Sequence, residues 1–534
     1  MSTPAEVPAG LPAAPEITEP LQEWHRLHVR MLVVRPLNEG VAMLVPILVL
    51  LFTGNGEKWR LIASGVTVAA ILAFSYLIWR TTKYRITDDQ VELHTGLLTR
   101  KQLAVPRDRI RTVDLTSKPG HRIFGLSAVR IGTGQQDVPG TDGLTLDAVT
   151  QQEAERLRVL LLRKGVAPGV ASPEEAGAEP VALPESEVIS RLDLKWLKFA
   201  PLSLSGLVAI GAVFGVLSNY ADDLGLHPVQ DLWEWLFEHP SLTLFAGFLV
   251  ALVVVGLVLS IPLYVLQFWN YRLTREPDGT LRVQRGLLTT RSVSVEEQRL
   301  RGVDIQEPLL VRAGKGAKLA AVTTGLGSKG ESNLLLPPAP LSVAHQVSRD
   351  VLKVGSDPTT LRLRKHPIAA LRRSVFRHVV PWAVIAAGLA IWAPSWAWPI
   401  PAAVIPFAAL IGWDNYRSLG NALDERYLVT RNNSLVRSTV ALQRTGIIGW
   451  RIRRSFFQRR SGLMTIGATT AAGAGIYHVT DVGESDGLAL ADEAVPELLR
   501  PFLVDKSAAD ESAGDESAVD ESAGDGQADR NVWR

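Results

Sequence analysis

A chain of 534 residues is too long for one ordinary domain and points to roughly three or four. Hydrophobic residues make up 47% and mean hydropathy is +0.13, above the habit of soluble chains, while the 21% of charged residues excludes an all-lipid protein. The net charge of +2 selects no partner, and the absence of cysteine excludes disulfides, thiolate nucleophiles and Cys-ligated metals.

In chain order, Met1–Pro20 is Ala/Pro-rich and acidic, lacks the basic and apolar regions of a secretory signal, and opens a disordered tail and juxtamembrane segment over 1–35. A first transmembrane hairpin is expected over 36–79, with helices Gly40–Phe52 (extended back to Pro36) and Leu61–Trp79. A strand-rich domain over 80–163 and a linker over 164–195 follow. The second hairpin, 196–269, holds Phe199–Leu217 and Leu242–Leu266, ahead of a second domain over 270–354 and a linker over 355–374. The third hairpin, 375–413, holds Val379–Ala393 and Ala397–Trp413 around Pro394-Ser395-Trp396, ahead of a third domain over 414–504. The acidic tail, 505–534, repeats Asp510-Glu511-Ser512-Ala513 every five residues and cannot bury enough apolar area to order itself. Gly206, Gly211, Gly215, Gly247 and Gly256 permit close helix approach.

Basic residues set the expected orientation. Arg26, Arg30 and Arg35, Arg191, Lys195 and Lys198, and Arg372, Arg373 and Arg377 precede the hairpins; Arg80, Lys83 and Arg85, Arg272 and Arg275, and Arg417 and Arg426 follow them. The second interhelical loop carries Asp222, Asp223, Asp231, Glu234 and Glu238 without Lys or Arg, and only Lys58 and Arg60 in the first loop dissent. Both termini and the three domains are therefore expected in the cytoplasm, with Trp59, Trp79, Trp233, Trp235, Trp269, Trp396 and Trp413 at the interfaces. Glu39 and Asp414, at span edges, read as solvated at the interface.

The domains are repeats. Adding 190 aligns Gly96–Thr133 with the second copy without gaps: Gly96-Leu97-Leu98-Thr99 meets Gly286-Leu287-Leu288-Thr289, and Arg111-Thr112-Val113-Asp114 meets Arg301-Gly302-Val303-Asp304. Adding 337 brings in the third, where Leu103 meets Val440, Arg107 meets Arg444 and Val129 meets Ile466. Val91-Glu92-Leu93-His94, Gln102-Leu103-Ala104-Val105 and Ala128-Val129-Arg130-Ile131 alternate like half-buried strands. Turns are expected at Thr87–Gln90, Glu276–Gly279 and Arg431–Ser434. Each copy closes on a helix: one capped at Thr150, one capped by Ser342 before Val343–Val354, and Ala491–Val504. The fold class expected is membrane α + β: six transmembrane helices as three hairpins, each followed by a small β-barrel or sandwich stoppered by its C-terminal helix.

The Tyr84-Arg85-Ile86-Thr87 and Tyr271-Arg272-Leu273-Thr274 entries, the Gly-Leu-Leu elements and Gln458-Arg459-Arg460-Ser461-Gly462-Leu463 before Thr469-Thr470-Ala471-Ala472-Gly473 resemble the bacterial pleckstrin-homology (PH)-like domains of YdbT-type membrane proteins. The resemblance covers nearly everything between the tails. It implies a PH-like barrel, six spans, a multi-pass cell-membrane location, a role in envelope physiology and tolerance of membrane-active compounds, no assigned reaction, and a smaller one-hairpin PH-like membrane protein as partner. The middle copy departs most, with Gly314-Lys315-Gly316 where the others carry Phe124-Gly125-Leu126 and Ser461-Gly462-Leu463.

Catalytic patterns are missing: Gly325–Gly330 matches a dinucleotide fingerprint literally but lacks the following helix and reads as a hairpin loop. His25 and His28 have no carboxylate cluster, so no metal, cofactor or catalytic residue is expected. The most suggestive surface is Trp450, Arg451, Arg453, Arg454, Phe456, Phe457, Arg459 and Arg460, where basic and aromatic residues interleave as at an anionic lipid surface or a partner protein. The alternative is a strand and turn packed into the barrel. Nucleic acid is not expected, since the domain is not broadly basic. The resulting expectation is a non-enzymatic scaffold in the lipid bilayer whose PH-like domains bind a partner protein or anionic lipid; a lipid or small-molecule translocator is the rival, and an enzyme ranks third.

Overall fold

The computed structural model describes residues 23–34, 58–96, 101–110, 112–132, 144–162, 186–221, 234, 242–324 and 333–499. The expected span Gly40–Phe52, Glu39, Asp222, Asp223, Asp231 and Glu238, the Gly325–Gly330 loop and both acidic tails lie outside the described residues. The chain divides into two compact units whose boundary passes through the second repeat, between Glu296 and Glu297.

The elements run β1 (His25–Arg26), α1 (Lys58–Thr81), β2 (Lys83–Ile86), β3 (Gln90–Thr95), β4 (Lys101–Pro106), β5 (Thr112–Ser117), α2 (Pro119–Ile123), β6 (Leu126–Gly132), β7 (Leu144–Thr150), α3 (Gln151–Leu162), β8 (Glu187–Arg191), α4 (Ser205–Ala221) and α5 (Leu242–Phe268). The second repeat starts with β9 (Arg272–Arg275), β10 (Thr280–Arg285) and β11 (Thr290–Glu296). In the first unit β1-β2-β3-β4 form one antiparallel sheet, and a second runs β7-β6-β5-β11-β10-β9. Alternation works as expected: Ile86, Val91 and Leu93 are buried while Arg85 and Glu92 pair outside at 2.8 Å. Thr150 caps α3 by accepting from the Glu153 amide at 3.3 Å, and Leu157 and Leu161 join Val113, Val129 and Ile131 in the core. Each such buried aliphatic contributes about 1.5–3 kcal/mol.

The second unit continues with β12 (Leu300–Pro308), α6 (Leu309–Ala313), β13 (Gly316–Thr323), β14 (Leu334–Pro340), α7 (Leu341–Leu352), α8 (Ile368–Trp392) and α9 (Pro399–Ser418). The third repeat follows: β15 (Gly420–Leu423), β16 (Tyr427–Asn432), β17 (Val436–Gln443), β18 (Gly449–Arg453), α10 (Phe456–Arg460), β19 (Leu463–Thr469), β20 (Ile476–Gly483), α11 (Glu484–Ala494) and α12 (Pro496–Leu499). One sheet runs β14-β13-β12-β17-β16-β15 and the other β18-β19-β20. Leu428, Val440, Ile466, Val479 and Leu490 fill its core.

The repeats are not self-contained barrels. In the first unit β5 pairs with β11, with Asp114 opposite Val293. In the second β12 pairs with β17, with Asp304 opposite Val440. The two offsets map one register onto the other, so each seam joins the fourth strand of one repeat to the third strand of the next.

The expectation of six spans in three hairpins is corrected. Among the described residues two helices are long and apolar enough to cross a bilayer, Thr243–Phe268 and Ile368–Trp392. The reasons are local. Turns of 3-10 helix at Leu194–Phe199 and Pro201–Ser203 consume the start of the expected Phe199–Leu217 helix, leaving α4 with 17 residues. In α9 the helix continues through Pro406 to Ser418, but its apolar run ends at Trp413, ahead of Asp414, Asn415 and Arg417. Asp414 at its end is not solvated as expected: it accepts from Arg312 and Ser434, each at 2.7 Å. The apolar part of α1, Gly65–Thr81, is likewise short. α8 and α9 still pack closely, Ser374 Oγ donating to the Gly412 carbonyl at 2.8 Å.

Three smaller expectations change as well. Ser342 lies inside α7, because Pro340 ends β14 and occupies the cap position itself. The last long helix starts at Glu484 rather than Ala491, and Pro496 begins a separate short one. The middle repeat keeps the geometry of the element it lost: Gly125, Lys315 and Gly462 all have left-handed backbones, with φ of +69°, +58° and +63°.

Candidate functional site: a basic and aromatic surface on the third repeat

β18 and α10 carry seven of the eight residues singled out from the sequence; the eighth, Arg454, and Ser455 join the two elements. The Ser455 hydroxyl accepts from the Gln458 amide at 3.3 Å while Gln458 Oε1 accepts from the Ser455 amide at 2.9 Å, a reciprocal capping box. Gln458 is the buried residue of α10; its Nε2 donates to Thr465 Oγ1 and to Asp481 Oδ1, both at 2.8 Å. With Gln458 held inward, Phe456 and Phe457 stay 68% and 62% exposed, and Arg459 and Arg460 are exposed beside them.

The surface lies at the foot of a membrane-length helix. Phe457 stands 6.5 Å from Phe376 of α8 and packs edge-on against Phe456 at 5.6 Å. One turn away, Arg373 Nη1 donates to Asp481 Oδ2 at 2.6 Å, joining α8 to β20. Asp481 sits at a β-bulge with φ +56°, the counterpart of Ala148 at φ +65° in the first repeat. From Val379 onward α8 has no ionisable side chain, and Trp392, Trp396 and Trp398 are exposed at its far end. That is the belt expected of a span.

Two of the eight residues serve the fold. Trp450 packs against the core, and Arg454 makes a bidentate ion pair with Glu484 at 2.5 and 2.7 Å. The other six are exposed together. Comparison between repeats sharpens this: Arg122 donates to the Leu287 carbonyl and Arg312 to Asp414, but their counterpart Arg459 has no side-chain partner among the described residues. The positive field is felt by His478 of β20, whose pKa is lowered by burial first and by Arg451 and Arg453 second. Arg451→Gln is therefore expected to raise the His478 pKa, as read by its ring proton shifts in an NMR titration; no upward movement would mean the guanidinium is screened.

The sequence reading missed Gln458, Asp481 and Arg373. Ser455-x-x-Gln458 carries capping-box spacing and was legible; the partnership of Arg373 with Asp481, 108 positions apart, was not. No group of three or more His, Asp or Glu among the described residues is arranged to hold a metal ion.

The family described as Bacterial PH domain matches this chain twice, over residues 40–165 and 224–354. Over 440 residues the chain is 24% identical to the UPF0699 transmembrane protein YdbT of Bacillus subtilis (strain 168), a match covering 80% of this chain and 87% of that protein. No solved structure matches it. The third repeat, outside the two family matches, repeats their strand order and carries the basic and aromatic surface. The chain is thus similar to the YdbT transmembrane protein over most of its length, and two of its regions match the Bacterial PH domain.

Proposed function

We propose that this protein is a non-enzymatic membrane scaffold of the cell envelope whose third repeat rests on the cytoplasmic leaflet and binds anionic lipid headgroups through α10. The observation that carries the reading is the exposed Phe456–Phe457 pair against Phe376 at the foot of α8, flanked by Arg459 and Arg460. Rings of this kind insert at the boundary between headgroups and acyl chains, and each arginine near an anionic surface adds about 1 kcal/mol. Arg372, Arg373 and Arg377 immediately before the apolar part of α8 favour the cytoplasmic side for this end. Translocation has less support, because the apolar stretch of α5 and that of α8 from Val379 lack ionisable side chains for coupling.

The absence of native cysteine allows a clean test. An environment-sensitive dye on Ser461→Cys, in the full chain reconstituted into vesicles, is expected to report an apolar surrounding with phosphatidylglycerol and a wetter one with phosphatidylcholine. Arg459→Gln with Arg460→Gln is expected to weaken that lipid preference roughly 30-fold. Equal signals in both vesicle types, or no effect of the two substitutions, count against the reading.

A further inference from the structure

The two seams follow one rule, and among the described residues the third repeat has an edge that no strand covers. β5 and β12 are each covered by the third strand of the following repeat. Their counterpart β18 ends its sheet, pairing only with β19 among the described residues. The side chains record the difference. Leu115 and Ile305, at matching positions in β5 and β12, are 8% and 1% exposed, whereas Ile452 in β18 is 42% exposed. The complementary edge is β4, the third strand of the first repeat. Among the described residues it too ends its sheet, and Leu103 is 37% exposed where Val293 and Val440 are 4% and 3%.

An open apolar edge is a template for strand addition unless charge blocks it. Applying the seam register to β4 and β18 sets Lys101 directly opposite Arg453, where the internal seams pair Arg291 with Thr116 and Ser438 with Gln306. Like charges directly opposite are destabilising, so a second copy of this chain is disfavoured at the edge. Arg451 stands where β5 and β12 carry Asp114 and Asp304, and Asp304 accepts from Ser438 Oγ across its seam at 2.6 Å. The polarity is reversed, and the fitting strand must bring acceptors.

We propose that the outer edge of β18 docks a PH-like module of another protein, whose third strand carries a carboxylate where β4 has Lys101. Such a carboxylate sits opposite Arg453 and diagonal to Arg451, and an apolar side chain beside it covers Ile452. This deepens the scaffold reading by naming the kind of partner, and it is independent of lipid contact by α10.

The protein itself supplies a probe strand. In one full-length chain Gln102→Cys is combined with Lys101→Glu, which turns β4 into the acidic third strand; the second chain carries Ile452→Cys. Gln102 and Ile452 are directly opposite in the seam register, and with one cysteine per chain a disulfide between 102 and 452 requires two molecules. With both proteins in detergent, Lys101→Glu is expected to raise disulfide-linked dimer about tenfold over the same pair with Lys101 retained. Adding Arg453→Glu to the second chain is expected to remove that gain, and Arg453→Glu facing unaltered Lys101 to restore it. The last pairing keeps the test valid should Lys101→Glu disturb the first repeat. Equal linking with Lys101 retained would make the occupant a second copy and overturn the proposal. Linking that appears only after removal of residues 505–534 would make the acidic tail the occupant, also overturning it. Absence of linking in every pairing of proteins that elute as single species would show that the edge is not a docking strand. The dye on Ser461→Cys is expected to be unchanged by Lys101→Glu, so failure here and failure of the lipid reading are distinguishable.

Discussion

Asp481→Ala is expected to destabilise the second unit by about 3 kcal/mol, at the lower end of what breaking a buried ion pair costs. Asp481 is 1% exposed on its side chain and Arg373 is 21% exposed, so Arg373 recovers some hydration when its partner is lost. The substitution removes two acceptances at once, from Arg373 and from Gln458. It also places alanine in the left-handed region at φ +56°, where a Cβ is disfavoured and Asp or Asn is better tolerated. Asp481→Asn keeps an oxygen for Gln458 and suits the backbone, so it is expected to cost about 1–2 kcal/mol. Guanidinium unfolding in detergent orders the three proteins; an alanine variant within about 0.5 kcal/mol of the parent would mean that the network contributes no net stability. Loosening of α10 is expected with it, since Gln458 fixes which side chains of that helix face outward.

The second large effect concerns one register position used in two ways. Gly302 in β12 and Gly449 in β18 are counterparts under the repeat. A Cβ on Gly302 would stand 2.0 Å from the Ala441 carbonyl oxygen and 3.1 Å from Leu442 Cα, all backbone of the neighbouring strand. A Cβ on Gly449 would meet nothing within 4 Å. Gly302→Ala is therefore expected to cost about 2 kcal/mol, the overpacking penalty less the small gain from a stiffer unfolded chain. Gly449→Ala is expected to be neutral or stabilising by up to about 1 kcal/mol. Hydrogen exchange of the β12 and β17 amides locates the damage; unchanged protection in Gly302→Ala would mean that the seam adjusts freely.

The alternation of Val91, Glu92 and Leu93 was readable because a strand turns every second side chain to the same face whatever lies beyond it. Arg459 and Arg460 could be read as a charged surface, but not as lacking side-chain partners among the described residues, since that depends on what α8 and β20 bring nearby. The offset of 337 already set Trp450 over Val113, a buried-type position, whereas Arg454 looked identical to its neighbours until its pairing with Glu484 separated it. Span counting failed for a related reason. Hydropathy measures how well a segment tolerates lipid, whereas the 3-10 turn at Pro201 shortens α4 and Asp414, held by Arg312, closes the apolar part of α9.

The sequence by itself determined the repeat, because two constant offsets need no coordinates, and with it the strand periodicity and the turns. Only the tertiary structure decided that the repeats share sheets instead of closing separately, and that β4 and β18 end their sheets among the described residues. Periodicity is a property of one strand's backbone. Edge pairing is a property of two strands far apart in the chain, settled by which of them presents free amides, carbonyls and tolerable charges to the other.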